Sequence, residues 1–308
     1  MKSLTLFVII VSLFVLQQPA VAISSADTIH LTMPAMPAAA AKADSARTDT
    51  IPKVWKAASA ISVDLSEVSY NSSWTLGGEN ALSYRATFGG TFTRDVPASN
   101  FQTTYKFVFG QSRLQESGLR KTDDVIDIGS VYLLKLGGDV SPYASESFKT
   151  QFTTSYNYDA VGLATATSTF LDPGYLTLAL GASWQALPQL KTRLGAGVRA
   201  VFTTNYNSFS DDPSTPEVEK TKVDEGLEWV TEINWAIVDN LIFTSKTSVF
   251  APIRNFGRMV VDSDNSLGMI ASKYIKFSLT GRLISDPDVN VHVQIKQGIA
   301  IGFTYVLL

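Results

Sequence analysis

The chain has 308 residues, 45% hydrophobic and 17% charged, with a formal net charge of −3 and no cysteine. That length allows one substantial domain, and the lack of cysteine excludes a disulfide scaffold and a thiolate metal site. No basic tract interleaved with aromatics is present, which argues against a nucleic-acid partner.

Taken in chain order, Lys2 precedes the apolar run from Leu4 to Leu16, and Ala20-Val21-Ala22 supplies a small-x-small cleavage pattern. These dimensions predict a cleaved export signal over residues 1–22, since the run is too short to span a bilayer comfortably. Residues 23–59 contain Pro34, Pro37, Pro52 and the alanines from Ala38 to Ala41 without a sustained period. They read as a flexible periplasmic linker, with a helical plug as the alternative.

From Ala60 onward the period becomes two. Leu82, Tyr84, Ala86 and Phe88 alternate with Ser83, Arg85, Thr87 and Gly89, and Phe101 to Phe109 repeats the pattern. So do Leu176 to Trp184, Leu190 to Phe202, Leu227 to Ile237 and Ile275 to Leu283, each sending its charges to one face. With weaker segments near residues 61–70, 124–136, 143–156, 241–250 and 261–271, about twelve strands are predicted over residues 60–308. Short connections alternate with long ones, as periplasmic turns alternate with extracellular loops in bacterial outer-membrane barrels. A soluble sandwich also has period-two strands but gives no reason for that alternation.

The last stretch, Gln294 to Leu307, is one long amphipathic strand. Ile295, Ile299, Ile301, Phe303 and Tyr305 share a face, and Gln294, Lys296, Gly298, Ala300 and Gly302 share the other. A strand of about 9–11 residues crosses a bilayer at barrel tilt, so this segment can close a barrel in lipid. The predicted fold is an all-β, antiparallel, transmembrane up-and-down barrel. Phe101, Tyr143, Trp184, Trp235, Tyr274 and Tyr305 fall near short-turn ends, and Tyr70, Tyr156, Tyr175 and Phe202 near long-loop ends, as two interfacial girdles require.

Catalytic chemistry is sparse. The two histidines are His30, in the linker, and His292, at the start of the last strand, and no nucleophile elbow, zinc-protease or phosphate-loop motif occurs. We therefore expect no enzyme, no catalytic residue and no cofactor; the less favoured alternative is an outer-membrane lipid-modifying enzyme, which would have to be built on His292. Asp286, Asp288 and Asn290 open like a calcium loop but lack its glycine and its bidentate glutamate, so turn chemistry accounts for them and no metal site is expected. The stretch with Asp211, Asp212, Glu217 and Glu219 reads as a solvated acidic loop, of a kind that can meet lipopolysaccharide through divalent ions.

The charged face is the feature that can carry function. Turned inward it places Arg85, Lys106, Asp127, Lys149, Arg193, Arg199, Glu228, Glu232, Lys246, Arg282 and Lys296 in the lumen, together with Asp64. That is eight bases against four acids. Arg193 and Arg199 face Glu228 and Glu232 on the next strand, within reach of pairing. Two outcomes remain open: an ion-paired network bracing a sealed barrel, or a narrow pathway for small, weakly preferred anions. The partners expected are outer-membrane lipid, lipopolysaccharide and the barrel-assembly machinery, with the oligomeric state open.

Several specific words support a family resemblance. They are Asn71-Ser72-Ser73-Trp74-Thr75-Leu76-Gly77-Gly78-Glu79-Asn80, Arg120-Lys121-Thr122-Asp123-Asp124, Phe148-Lys149-Thr150-Gln151-Phe152, Ser285-Asp286-Pro287-Asp288 and Gln294-Ile295-Lys296. The chain resembles domain of unknown function family 3078, with these words in order over roughly residues 55–308. The resemblance implies an outer-membrane barrel without an assigned activity and supplies no site residues. The 71–80 segment is either a plain connection or a functional loop folded inward.

Overall fold

The computed structural model describes residues 54–68, 80–114, 118–159, 162–212 and 214–307. The export signal, most of the linker and nearly all of the 71–80 segment lie outside the described residues. Among the described residues there are fourteen strands: β1 (Trp55–Val68), β2 (Ala81–Val96), β3 (Ser99–Leu114), β4 (Gly118–Leu134), β5 (Val140–Thr150), β6 (Ser155–Tyr158), β7 (Ala164–Ser168), β8 (Gly174–Leu187), β9 (Leu190–Phe202), β10 (Thr221–Val238), β11 (Leu241–Pro252), β12 (Val260–Ile270), β13 (Ile275–Asp286) and β14 (Asn290–Val306). Twelve of them form one closed antiparallel barrel, and β6 and β7 pair separately as a hairpin in the connection between β5 and β8. The segment read as one strand over 143–156 therefore ends at Thr150. The barrel itself starts at Trp55, within the stretch read as linker.

Closure is made by β1 on β14, from Ala60 opposite Val306 to Asp64 opposite Gly302. Without it, two strand edges would face hydrocarbon, where no water can pair their amides. Side chains at facing positions share a face, so one register fixes inside and outside for the whole ring. Ile61, Val63, Leu180, Leu194, Trp229, Ile299 and Phe303 are all exposed on the outer face. An exposed apolar surface of that extent suits lipid and not water.

Two glycine contacts show how tightly the wall is packed. Outside, a Cβ on Gly90 would lie 2.5 Å from the Tyr105 hydroxyl, and that hydroxyl bonds Ser59 across the gap. Inside, Tyr143 lies over Gly195, where an added Cβ would come within 2.7 Å of its hydroxyl. Tyr143 thus points into the lumen and is not a girdle residue as its position near a turn suggests. Tyr175 also faces inward, opposite Lys149, and Tyr156 belongs to the β6–β7 hairpin. Nor do all strand charges turn inward: the inward run Tyr143, Ser145, Ser147 and Lys149 obliges Glu146 to face out, and Glu225 is outward by the same logic on β10.

Phe303 and Tyr305 sit on the lipid face of the closing strand. Replacing both with aspartate puts charge there at a cost of up to ~2–4 kcal/mol each near the midplane, less toward the interface. The variant is expected to lose most of its assembled, heat-modifiable form on an unboiled gel. Normal yield would contradict the face assignment.

Candidate functional site: the charged lumen

All eleven candidate lumen residues and Asp64 occupy the inward face. Their arrangement follows from register. Lys191, Glu232, Lys246, Asp264, Arg282 and Lys296 are directly opposite one another in turn across β9 to β14, a row that alternates in sign until its last two members. On the other wall Lys106, Asp127 and Lys149 form a second alternating row across β3, β4 and β5. Opposite charges at facing positions attract, whereas like charges there destabilise a sheet.

The two walls also meet. Lys106 Nζ lies 3.0 Å from Asp264 and Lys149 Nζ lies 3.0 Å from Asp262. In the ring, β3 and β5 are each five strands from β12, so these contacts cross the lumen. Asp262 is the hub: it also accepts from Arg282 at 3.0 and 3.2 Å, while Lys149 keeps Asp127 at 3.7 Å. The barrel is narrowed here by its own side chains.

Toward the long-loop side Arg85, Asp123, Arg199 and Asp286 are more enclosed. Arg85 stands directly opposite Asp64 and lies 3.9 Å from Asp123, which also takes Lys296 Nζ at 2.8 Å. Lys296 additionally donates to the Thr122 carbonyl. Arg199 does not pair with a glutamate of β10; it reaches across to Asp286 at 2.9 Å and lies over the Tyr175 ring. Arg193 does pair with Glu232, at 3.3 Å, and lies over Tyr143. Glu228 accepts instead from Ser145.

Sequence reasoning missed part of the inward set. Asp123, Asp224, Asp262, Asp264 and Asp286 add five acids, while Lys191, Lys222 and Lys276 add three bases. The cation excess is therefore smaller than eight against four. Alternation was hard to see in β12 because Ser263 and Asn265, on its outer face, are polar as well. Asp286 and Asp288 are held by Arg199, Lys222 and Arg258, and among the described residues no group of acids or histidine is placed to hold a metal ion. His292 is exposed, and its backbone N–H donates to Asn290 Oδ1.

Comparison with known proteins agrees with the family resemblance. The family described as a protein of unknown function (DUF3078) matches residues 65–156, the span from the end of β1 through part of β6. No curated protein matches the chain. Among solved structures, an outer membrane channel from Pseudomonas putida F1 is similar with 10% identity and a TM-score of 0.39, covering 86% of this chain and 99% of that one. The translocator domain of the autotransporter NalP from Neisseria meningitidis is similar with 9% identity and a TM-score of 0.37, covering 83% and 90%. The NanC porin is similar with 10% identity and a TM-score of 0.36, covering 81% and 98%.

Beyond the membrane, Asp288 in the β13–β14 turn clamps the long-loop end. It accepts from Lys222 on β10 and from Arg258, 2.5 Å away in the short helical turn Phe256–Arg258. Burial raises the Asp288 carboxyl, but bonds from Lys222 and Arg258 outweigh it and hold the group below the usual carboxylate range. A carboxyl lowered on folding stabilises fully above its unfolded value of about 3.9 and loses that contribution as pH falls through the folded value. The clamp should hold at neutral pH and open only below about pH 4. Asp288→Asn should open it at neutral pH. Amide exchange in residues 253–259 and 287–289 is expected to rise about tenfold or more, for a lost charged bond of ~1.5–3 kcal/mol, with the barrel still heat-modifiable. Unchanged exchange in both segments would contradict the clamp.

Proposed function

We propose that the protein is an exported outer-membrane barrel that passes small solutes by diffusion through a narrow, charged constriction, with a weak preference for anions. The observation that carries this reading is the residual accessibility of the charges around the crossing pairs. The side chains of Lys106, Asp264, Lys149, Asp262 and Arg282 remain 21–32% accessible, and Glu232 and Lys296 reach 38% and 42%. Since these groups face inward, that accessible space is lumen. Arg85, Asp123, Arg199 and Asp286 are only 6–10% accessible, so these bracing charges are more enclosed than the constriction, and Lys296 joins the two through Asp123.

Wet pairs are weak and exchange partners with passing ions easily, whereas dry ones resist opening because a buried charge left alone is costly. Lys246 and Lys191 add positive charge to the row with no ion pair of their own among the described residues, which favours anions in a water-filled passage. On this reading the partners are outer-membrane lipid, lipopolysaccharide and the assembly machinery. A sealed structural barrel is the second reading. The direct 3.0 Å contacts across the lumen favour it, since they would block the passage if they never separated.

Purified protein in a planar bilayer decides between them. Small steady conductance is expected, with a reversal potential on the anion side in a salt gradient. Asp262→Asn releases Lys149 and Arg282 into the passage and should raise the anion-to-cation permeability ratio by about twofold or more. No conductance from a sample whose barrel is confirmed folded would overturn the pore and leave the sealed barrel.

A further inference from the structure

The outer face of the barrel carries a polar patch inside its apolar belt. Thr192, Thr231, Thr247 and Ser263 are directly opposite one another across β9 to β12. One step toward the short turns, Ser245, Asn265, Gly281 and Gln297 form a second row across β11 to β14. Apolar rows bound the patch on both sides, Trp229, Val249 and Val261 toward the long loops and Phe243, Leu267, Leu279 and Ile299 toward the turns. On these strands the patch thus lies between rows built for hydrocarbon.

Part of its polarity is satisfied sideways. Thr192 and Thr231 are bonded at 3.1 Å, Thr247 and Ser263 at 2.8 Å, and Asn265 gives one amide hydrogen to Ser263 at 3.0 Å. That leaves the Asn265 carbonyl oxygen and its second N–H, with the Gln297 amide beside them across Gly281. A Cβ on Gly281 would meet nothing, so a shallow dent separates the two amides. Lipid tails offer no partner to an amide, and unpaired polar groups in hydrocarbon are costly.

We propose that this face, centred on Asn265, is where a second copy of the chain docks in the membrane to form a two-fold dimer. An amide or hydroxyl both donates and accepts, so the patch is complementary to itself when turned through a two-fold axis. A C2 interface requires that property, each residue meeting the other copy's version of the same surface. Asn265 and Gln297 supply the specific bonds, and the flanking apolar rows supply area. Polar side chains at close quarters act as glue between membrane segments in the same way.

The chain has no cysteine, so single cysteines report without background. Asn265→Cys and, on the opposite wall, Ile128→Cys are made in the full chain and oxidised in native outer membranes. A disulfide-linked species of twice the chain mass is expected for the first and not for the second. Thr247→Val with Ser263→Val and Asn265→Leu should convert detergent-solubilised dimer to monomer while the barrel stays heat-modifiable. Monomer for the unaltered protein, equal cross-linking at both sites, or a linked species of some other mass would each overturn the dimer.

Discussion

Everything in this barrel depends on the pairing of β1 with β14. A sheet in lipid has no water to satisfy its edges, so it must close or fail, and closure fixes how many inward faces share one lumen. Twelve strands then bring β3 and β5 within side-chain reach of β12. The crossing pairs are a consequence of ring size acting on charges placed by a period of two. A wider ring would separate the same residues beyond pairing distance.

The lumen is layered by dryness. Near the long-loop side, Arg85, Asp123, Arg199 and Asp286 are enclosed, and breaking any such pair would strand a charge in a poorly hydrated place. Around Asp262 the paired side chains keep 21–32% accessibility to the lumen. Accessible ion pairs contribute less to stability than enclosed ones, so on the proposed reading these pairs serve passage more than bracing. The Asp288 clamp adds a third layer outside the membrane, tying the β13–β14 turn to β10 and to the turn after β11.

The sequence made the strand faces readable because apolar and polar residues alternate wherever one side meets lipid. β8, β9, β13 and β14 are legible on that basis alone. Three things were not. Alternation says nothing about partners across a lumen, so it points Arg199 to the nearest glutamates and not to Asp286, which lies on a distant strand. β12 hides its inward acids because its outer face is polar at Ser263 and Asn265. Tyr143 sits near a turn, as an interfacial aromatic does, yet the gap above Gly181 and Gly195 takes its ring on the inner side.

The central claim is that the constriction is filled with water. Ser147 lies at that level, inward, between Ser145 and Lys149 on β5. With Ser147→Cys as the sole thiol, a small membrane-impermeant thiol reagent added from outside should modify it in intact outer membranes. The rate should be lower than at an exposed Ser214→Cys control but measurable, and it should be faster with an anionic than with a cationic reagent. Full protection of Cys at 147 under conditions that modify the loop control would contradict the account.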